Sequence, residues 1–206
     1  MASPHVLPHA ATWDDIRDLP EGTRVEILDG EILFAPAPLP RHARAQSQLT
    51  YRIGGPFDMD GTPGGWWILP TVDVQVDAHI VVQPDVVGWR REHVPVFPDE
   101  RPIRACPAWV CEILSPSNRR NDLLRKADLY LRVGVGFYWI VDPEYRTVQA
   151  LRREVSAERA GWFLLGTWSD GDVVGIEPFE AVALDVGQLF PPEPPVPAEE
   201  SRSDSE

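Results

Sequence analysis

The chain has 206 residues, with 19 Lys+Arg against 32 Asp+Glu and a formal net charge of −13. No uncharged apolar run reaches the roughly 18 residues that a membrane-spanning helix needs, which excludes a membrane span, and the acidic balance excludes a protein that coats nucleic acid by bulk charge.

Thr12 followed by Asp15 starts a predicted short helix, Trp13 to Leu19, through a capping box. RVEIL, Asp29-Gly30 and EILFA predict a hairpin, because Asp-Gly suits a tight primed turn. PAPLP interrupts the chain, Arg41 to Ile53 has helix-forming content, and Gly54-Gly55-Pro56 is expected to stop that helix. A Gly/Pro loop spans Asp58 to Gly65. Trp66 to Leu69 reads as a strand, and Val72, Val74 and Val76 alternate with polar residues, one face buried and one wet. Ile80 to Trp89 is mostly apolar, with Asp85 opening or interrupting a second strand. Arg90 to Arg104 is polar and proline-containing and reads as a long loop.

AWVCEIL predicts a strand buried on both faces. SPSN then caps a helix from about Arg119 to Val133, ended by Gly134 and Gly136. FYWIVDP is another buried strand, Thr147 to Glu154 and Trp162 to Trp168 are two antiparallel ones, and Val182 to Phe190 is a last short element. No internal repeat occurs. The pattern is a mixed sheet with few helices, α/β or α+β, in one domain over residues 1–190. The opening MASPHVLPHA is expected to be loose. Residues 191–206 hold five acids and one arginine, with Val196 and Ala198 as the only aliphatic residues, and are expected to be disordered. Two cysteines, Cys106 and Cys111, make no disulfide framework. With no secretory signal visible at the N-terminus, they predict reduced thiols and a cytoplasmic protein.

Three residue types suggest chemistry. Along AWVCEIL, Trp109, Cys111 and Ile113 share one face, and Val110, Glu112 and Leu114 the other. Glu112 therefore sits among apolar neighbours, which is costly unless it is paired or binds metal; a structural glutamate holding an arginine is the plain alternative. Asp85, in Pro84-Asp85, is a second acid against a central strand, though Pro-Asp often simply starts a turn. Two carboxylates from adjacent strand ends would make a hard, oxygen-rich site suited to Mg²⁺ or Mn²⁺. Lys126 is the only lysine; the other 18 basic residues are arginine. An ammonium is not interchangeable with a guanidinium, so the single amine marks a candidate site residue. Asp122 and Lys126 share a helix face, which would otherwise be a surface pair, and Leu123, Leu124, Ala127 and Leu131 give that helix an apolar side. His5 and His9 make no metal motif, and the tryptophans read mostly as core.

The span from PDVVGW through PAWVCEILSPSNRRNDLLRKADLYLRVGVGFYWIVDP resembles the restriction-endonuclease family of the Uma-two type, within the PD-(D/E)XK nuclease superfamily. The matching positions are Asp85, Glu112 to Ser117, Asp122, Lys126 and Gly134 to Pro143. The early VEILDGEIL and His42 after a proline-rich stretch also fit, and the likeness covers about residues 12–190. It departs from the wider superfamily at Leu114, where the usual Glu-x-Lys has its lysine, so the amine is implied to come from Lys126. The resemblance implies a restriction-endonuclease-like mixed β-sheet flanked by helices, with an N-terminal hairpin. It implies a Mg²⁺- or Mn²⁺-dependent endodeoxyribonuclease acting on DNA as a homodimer. In that reading Asp85, Glu112 and the Ile113 carbonyl hold the metal, and Lys126 orients water or stabilises charge. Glu26 and His42 are further catalytic candidates, at a second metal position or as orienting groups; an exposed or ion-paired Glu26 and an ordinary helix-start His42 are the plain alternatives. Arg41, Arg44, Arg119, Arg120 and Arg125 could contact phosphate bidentately or simply solvate helix faces. A nuclease fold kept as a binding scaffold for DNA or protein, and a phosphodiesterase for small or RNA substrates, are the other functional classes.

Overall fold

The computed structural model describes residues 9–59, 63–116, 119, 121–157 and 159–192. The N-terminal eight residues and the acidic stretch from 193, both expected to be loose, lie outside these. So do Ser117 and Asn118 of the expected helix cap, and Arg120.

The hairpin forms as expected. Strands β1 (Val25–Leu28) and β2 (Glu31–Phe34) pair antiparallel with Leu28 opposite Glu31. Asp29 and Gly30 both take positive φ, 51° and 80°, as a primed two-residue turn requires. The helix expected over Trp13 to Leu19 is instead one 3₁₀ turn, Trp13–Asp15. The Asp15 carboxylate accepts the Thr12 N–H at 2.8 Å and its hydroxyl at 3.1 Å, so the start signal is real. Pro20 follows too soon for the turn to lengthen into a stable helix.

Helix α1 (Pro40–Gly54) buries Ala45, Leu49 and Ile53, four apart on one stripe. Gly54-Gly55-Pro56 does not stop the winding. The chain continues as a π turn, Gly55–Met59; Pro56 has no N–H to give this winding, and Phe57 is carried into the core.

Strands β3 (Trp66–Pro70), β4 (Val74–Asp77), β5 (Ile80–Val82) and β6 (Val86–Arg90) follow. The apolar run from Ile80 is split at Gln83-Pro84-Asp85: β5 joins a four-stranded sheet ordered β2-β1-β5-β4, and β6 a six-stranded one. Pro84 has no N–H for a ladder, and Asp85 opens β6. The 90–104 loop is not wholly irregular, since Ile103 makes a parallel bridge to Val74.

Strand β7 (Trp109–Ile113) is buried at every position. After it come a π turn (Asn121–Lys126), helix α2 (Ala127–Val133), and Gly134 in the left-handed conformation at φ 96°. Strand β8 (Phe137–Asp142) then returns parallel to β7, making this a β-helix-β crossover. Strands β9 (Thr147–Val155) and β10 (Ala160–Ser169) extend further than expected and complete the six-stranded order β10-β9-β8-β7-β6-β3. The element expected over Val182 to Phe190 resolves into β12 (Leu184–Asp185), paired with β11 (Val173–Val174), and a 3₁₀ turn, Val186–Leu189. This is an α+β fold with mixed sheets flanked by helices. No helix among the described residues is long and apolar enough to cross a membrane.

Two cores sandwich the large sheet. On one face Ala45, Leu49 and Ile53 of α1 meet Trp109, Cys111, Trp139 and Phe179, with Trp109 and Trp139 edge to face at 5.3 Å. On the other face Val87, Val110 and Tyr138 meet Leu129 and Tyr130 of α2 and Leu28, Val74 and Val82 of the small sheet.

Candidate functional site

The β6–β7 ladder sets Val86 opposite Cys111, and one step further along the same register places Asp85 opposite Glu112. Directly opposed residues are near neighbours, so two strand ends bring two acids together. Both are buried, as are His42 and Lys126. Four buried ionisable side chains meeting where two sheets, α1 and the π turn converge form a deliberate polar centre, because each would be costly alone.

Glu112 lies on the face of Val110, as its place in AWVCEIL predicts. Its Oε1 accepts the Lys126 ammonium at 3.0 Å and the Tyr130 hydroxyl at 2.5 Å. Lys126 also binds Glu26 Oε1 at 2.8 Å, and that oxygen accepts the Gln83 N–H at 2.9 Å. Glu26 is thus ion-paired inside the centre, not exposed. Asp85 Oδ2 accepts the Ile113 N–H at 2.7 Å and faces His42 Nε2 at 3.1 Å. Arg24 reaches Oδ1 at 3.3 Å, and Gln46 holds the Asp85 carbonyl at 2.7 Å. Burial pushes the Asp85 carboxyl up, but the His42 hydrogen bond and charge, the Ile113 N–H and the Lys126 charge outweigh it and hold it below its ordinary value. Burial, with the Glu112 charge, raises the Tyr130 phenol far above its usual range, so it stays a protonated donor.

All five candidate side chains, Asp85, Glu112, Lys126, Glu26 and His42, therefore gather in one centre. The arginines divide. Arg119 is held by Asp142 at 2.8 Å and Glu144 at 3.3 Å, and Arg125 by Glu31 at 2.8 Å. Arg41 and Arg44 are exposed on α1. Arg41, His42, Ser115 and Arg119 line a hollow of about 190 Å³, and Arg24, Leu39, His42 and Ser115 an adjoining one of about 220 Å³. The Asp122 side chain, and so the Asp122–Lys126 pair, lies outside what is described.

The expected apolar side of the Lys126 helix needs correction. Leu124 is 63% exposed and Leu123 also faces solvent, while Lys126, Leu129 and Tyr130 point inward. A π turn takes up an extra residue, which shifts the phase of everything after it relative to regular α spacing. Arg24 and Tyr130 are site residues that sequence reasoning missed. Both carried a signal: Arg24 shares a strand face with Glu26, two residues on, and Tyr130 shares a helix face with Lys126, four residues back.

The donor set suits one kind of metal binding. Asp85 and Glu112 are hard oxygen donors, and a strand residue's N–H and C=O point to the same edge, so the Ile113 carbonyl faces the side where its N–H meets Asp85. Mg²⁺ is commonly held by one or two carboxylates, completed by water and substrate phosphate. Among the described residues no three His, Cys, Asp or Glu side chains form a group that could hold an ion. The residues therefore fit a cation bound by two carboxylates and not a dense protein cage.

Comparison with known proteins bears on this geometry. No curated protein matches the chain. A crystal structure described as "a putative nuclease belonging to DUF820 from Anabaena variabilis ATCC 29413" aligns with a TM-score of 0.65 over 87% of this chain and 97% of that one, at 21% identity, and so shares the fold. The family Uma2, described as "Putative restriction endonuclease", matches residues 13–187, a span that runs from the first turn past β12 and takes in every residue of the buried centre. With that match over most of its length, the chain belongs to the Uma2 family.

Proposed function

We propose that this protein is a divalent-metal-dependent endonuclease that hydrolyses DNA phosphodiester bonds, with Asp85, Glu112 and the Ile113 carbonyl holding Mg²⁺ or Mn²⁺. The observation that carries the reading is the convergence of the chain's single lysine on two acids, buried Glu112 and half-buried Glu26, beside Asp85. Family membership and the likeness to a protein described as a putative nuclease point the same way. When bound, the cation would polarise the scissile phosphate and acidify a water.

The chain's own residues supply the rest. Lys126, flanked by two carboxylates, places positive charge where negative charge develops on the phosphate. Glu26 and Tyr130 hold that ammonium and its partner carboxylate in place. His42 and Arg24 fix the Asp85 carboxylate, and Arg24 and Arg41 at the adjoining hollows offer guanidiniums to phosphate oxygens. Cutting both strands of a duplex takes two such sites, which a homodimer would provide. Free Cys106 and Cys111 suit a reducing compartment such as the cytoplasm.

One observation favours a second reading, a catalytically inactive scaffold for DNA or a protein partner: each buried acid already has a cationic or histidine partner. The test is to incubate plasmid and single-stranded DNA with and without Mg²⁺ or Mn²⁺, with Glu112→Gln and Lys126→Ala in parallel. Metal-dependent nicking by the wild type and none by either variant is expected. Nicking that persists in both variants moves the active site elsewhere. No cleavage together with no heat of metal binding favours the scaffold.

A further inference from the structure

A cleft of about 560 Å³ opens beside the buried centre, between the turn before β1 and the 97–101 loop. It is continuous with the centre through two residues: Arg24, whose guanidinium touches Asp85, and Gln83, whose N–H binds Glu26. Its volume is that of a small-molecule site. One wall is apolar, with Leu69 and Phe97. Phe97 is 46% exposed yet braced, edge to face on Trp67 at 5.4 Å. Trp67 is itself pinned by its indole N–H on the Val94 carbonyl and by Arg91 over its ring. An aromatic ring held open to a cleft in this way is a pre-formed stacking surface.

The polar lining selects the ligand's charge. Asp73 is fixed by Arg101 at 2.6 Å and by Gln83 at 3.2 Å, and Asp99 and Glu100 stand at the rim. Its four carboxylates, Glu21, Asp73, Asp99 and Glu100, outnumber its two guanidiniums, Arg24 and Arg101, so away from Arg24 the cleft favours a neutral ring that presents amino groups over a second phosphate. We infer that this cleft is a subsite for one unpaired nucleobase, adjacent to the phosphate bound at the buried centre. Its position relative to the reacting bond rests on the nuclease reading; its binding chemistry does not. A base inside a duplex cannot reach the cleft, so the occupant belongs to a single strand or is extruded from the stack.

The experiment measures fluorescence anisotropy of a short labelled oligonucleotide in EDTA, so that nothing is cut. The oligonucleotide is presented as a single strand, as a fully paired duplex, and as the same duplex with a one-base bulge. The single strand and the bulged duplex should bind tighter than the paired one. Phe97→Ala should weaken those two by about 5- to 100-fold, the effect of losing one base–aromatic stack, and leave the paired duplex unchanged. Phe97→Trp should retain binding, and the unfolding temperature of each variant checks the fold. Equal binding by Phe97→Ala and wild type, equal loss on all three forms, or no binding to any form overturns the subsite. Phe97-dependent binding without metal-dependent cleavage would sink the nuclease reading and leave the subsite standing; cleavage indifferent to Phe97 would do the reverse.

Discussion

The two faces of β7 carry neighbouring residues into opposite chemistry. Cys111 and Glu112 are adjacent, and both are buried. Cys111 points at α1 into a face of tryptophan and aliphatic side chains. Burial, and then the nearby Asp85 and Glu112 charges, raise its thiol far above the usual range, so it is an inert filler. Glu112 points at α2, where Lys126 and Tyr130 both reach one of its oxygens. Burial by itself therefore does not decide whether a polar side chain is functional. What decides is whether the opposite element supplies charge and donors to that side chain: the α2 side does so for Glu112, whereas α1 meets Cys111 with apolar side chains.

That contrast can be broken most severely at Lys126. Lys126→Ala leaves buried Glu112 and half-buried Glu26 without their cation, and breaking a buried pair such as Glu112–Lys126 costs about 3–5 kcal/mol. Urea unfolding should show that loss, and DNA nicking should disappear. A variant as stable as wild type would mean the two acids are protonated or hydrated in the folded protein. Tyr130→Phe is the finer cut on the same face. It keeps the ring against Tyr138 at 5.3 Å but removes the hydroxyl, costing about 1.5–3 kcal/mol, the range for a hydrogen bond to a charged group. If Tyr130 orients Glu112 for a cation, calorimetric Mg²⁺ affinity should also fall about 10–100-fold; unchanged affinity would reduce Tyr130 to packing.

On the opposite face, Cys111→Ala should cost about 1 kcal/mol of stability, of the order of one buried methylene, with cleavage and metal binding at wild-type levels. A loss of metal binding there would show that the faces are not independent. The smallest effect lies outside both. The Thr12 backbone N–H, chiefly, with the Thr12 hydroxyl and His9, holds the Asp15 carboxyl below its ordinary 3.8 against the opposing push from burial. A depressed folded-state value stabilises the protein fully above the unfolded value and is lost as pH falls through the folded one. Asp15→Asn should therefore flatten the stability curve slightly below about pH 4 and leave it parallel to wild type at neutral pH.

Much of the centre was legible because it depends on local rules. Period-two alternation put Glu112 on a different face from Cys111, Pro84 marked the break that delivers Asp85, and the rarity of lysine singled out Lys126. The helix phase was not legible. Nothing in NDLLRK distinguishes a π turn from an α turn, since the two differ by one residue per turn and similar side chains suit both; Leu123 and Leu124 therefore read as core and lie outside. Arg24 and Tyr130 escaped for a related reason: their roles exist only toward partners 61 and 18 residues away.

By itself the sequence determined the hairpin, the central strands, their buried faces and the acids they carry, because backbone stereochemistry and hydrophobic periodicity act over a few residues. Tertiary structure alone decided that Glu26 and Glu112 share one ammonium, that His42 and Arg24 close on Asp85, and that a cleft opens beside them. Those contacts join separate elements, and their energies come from excluding water around charges, a property that no single segment possesses.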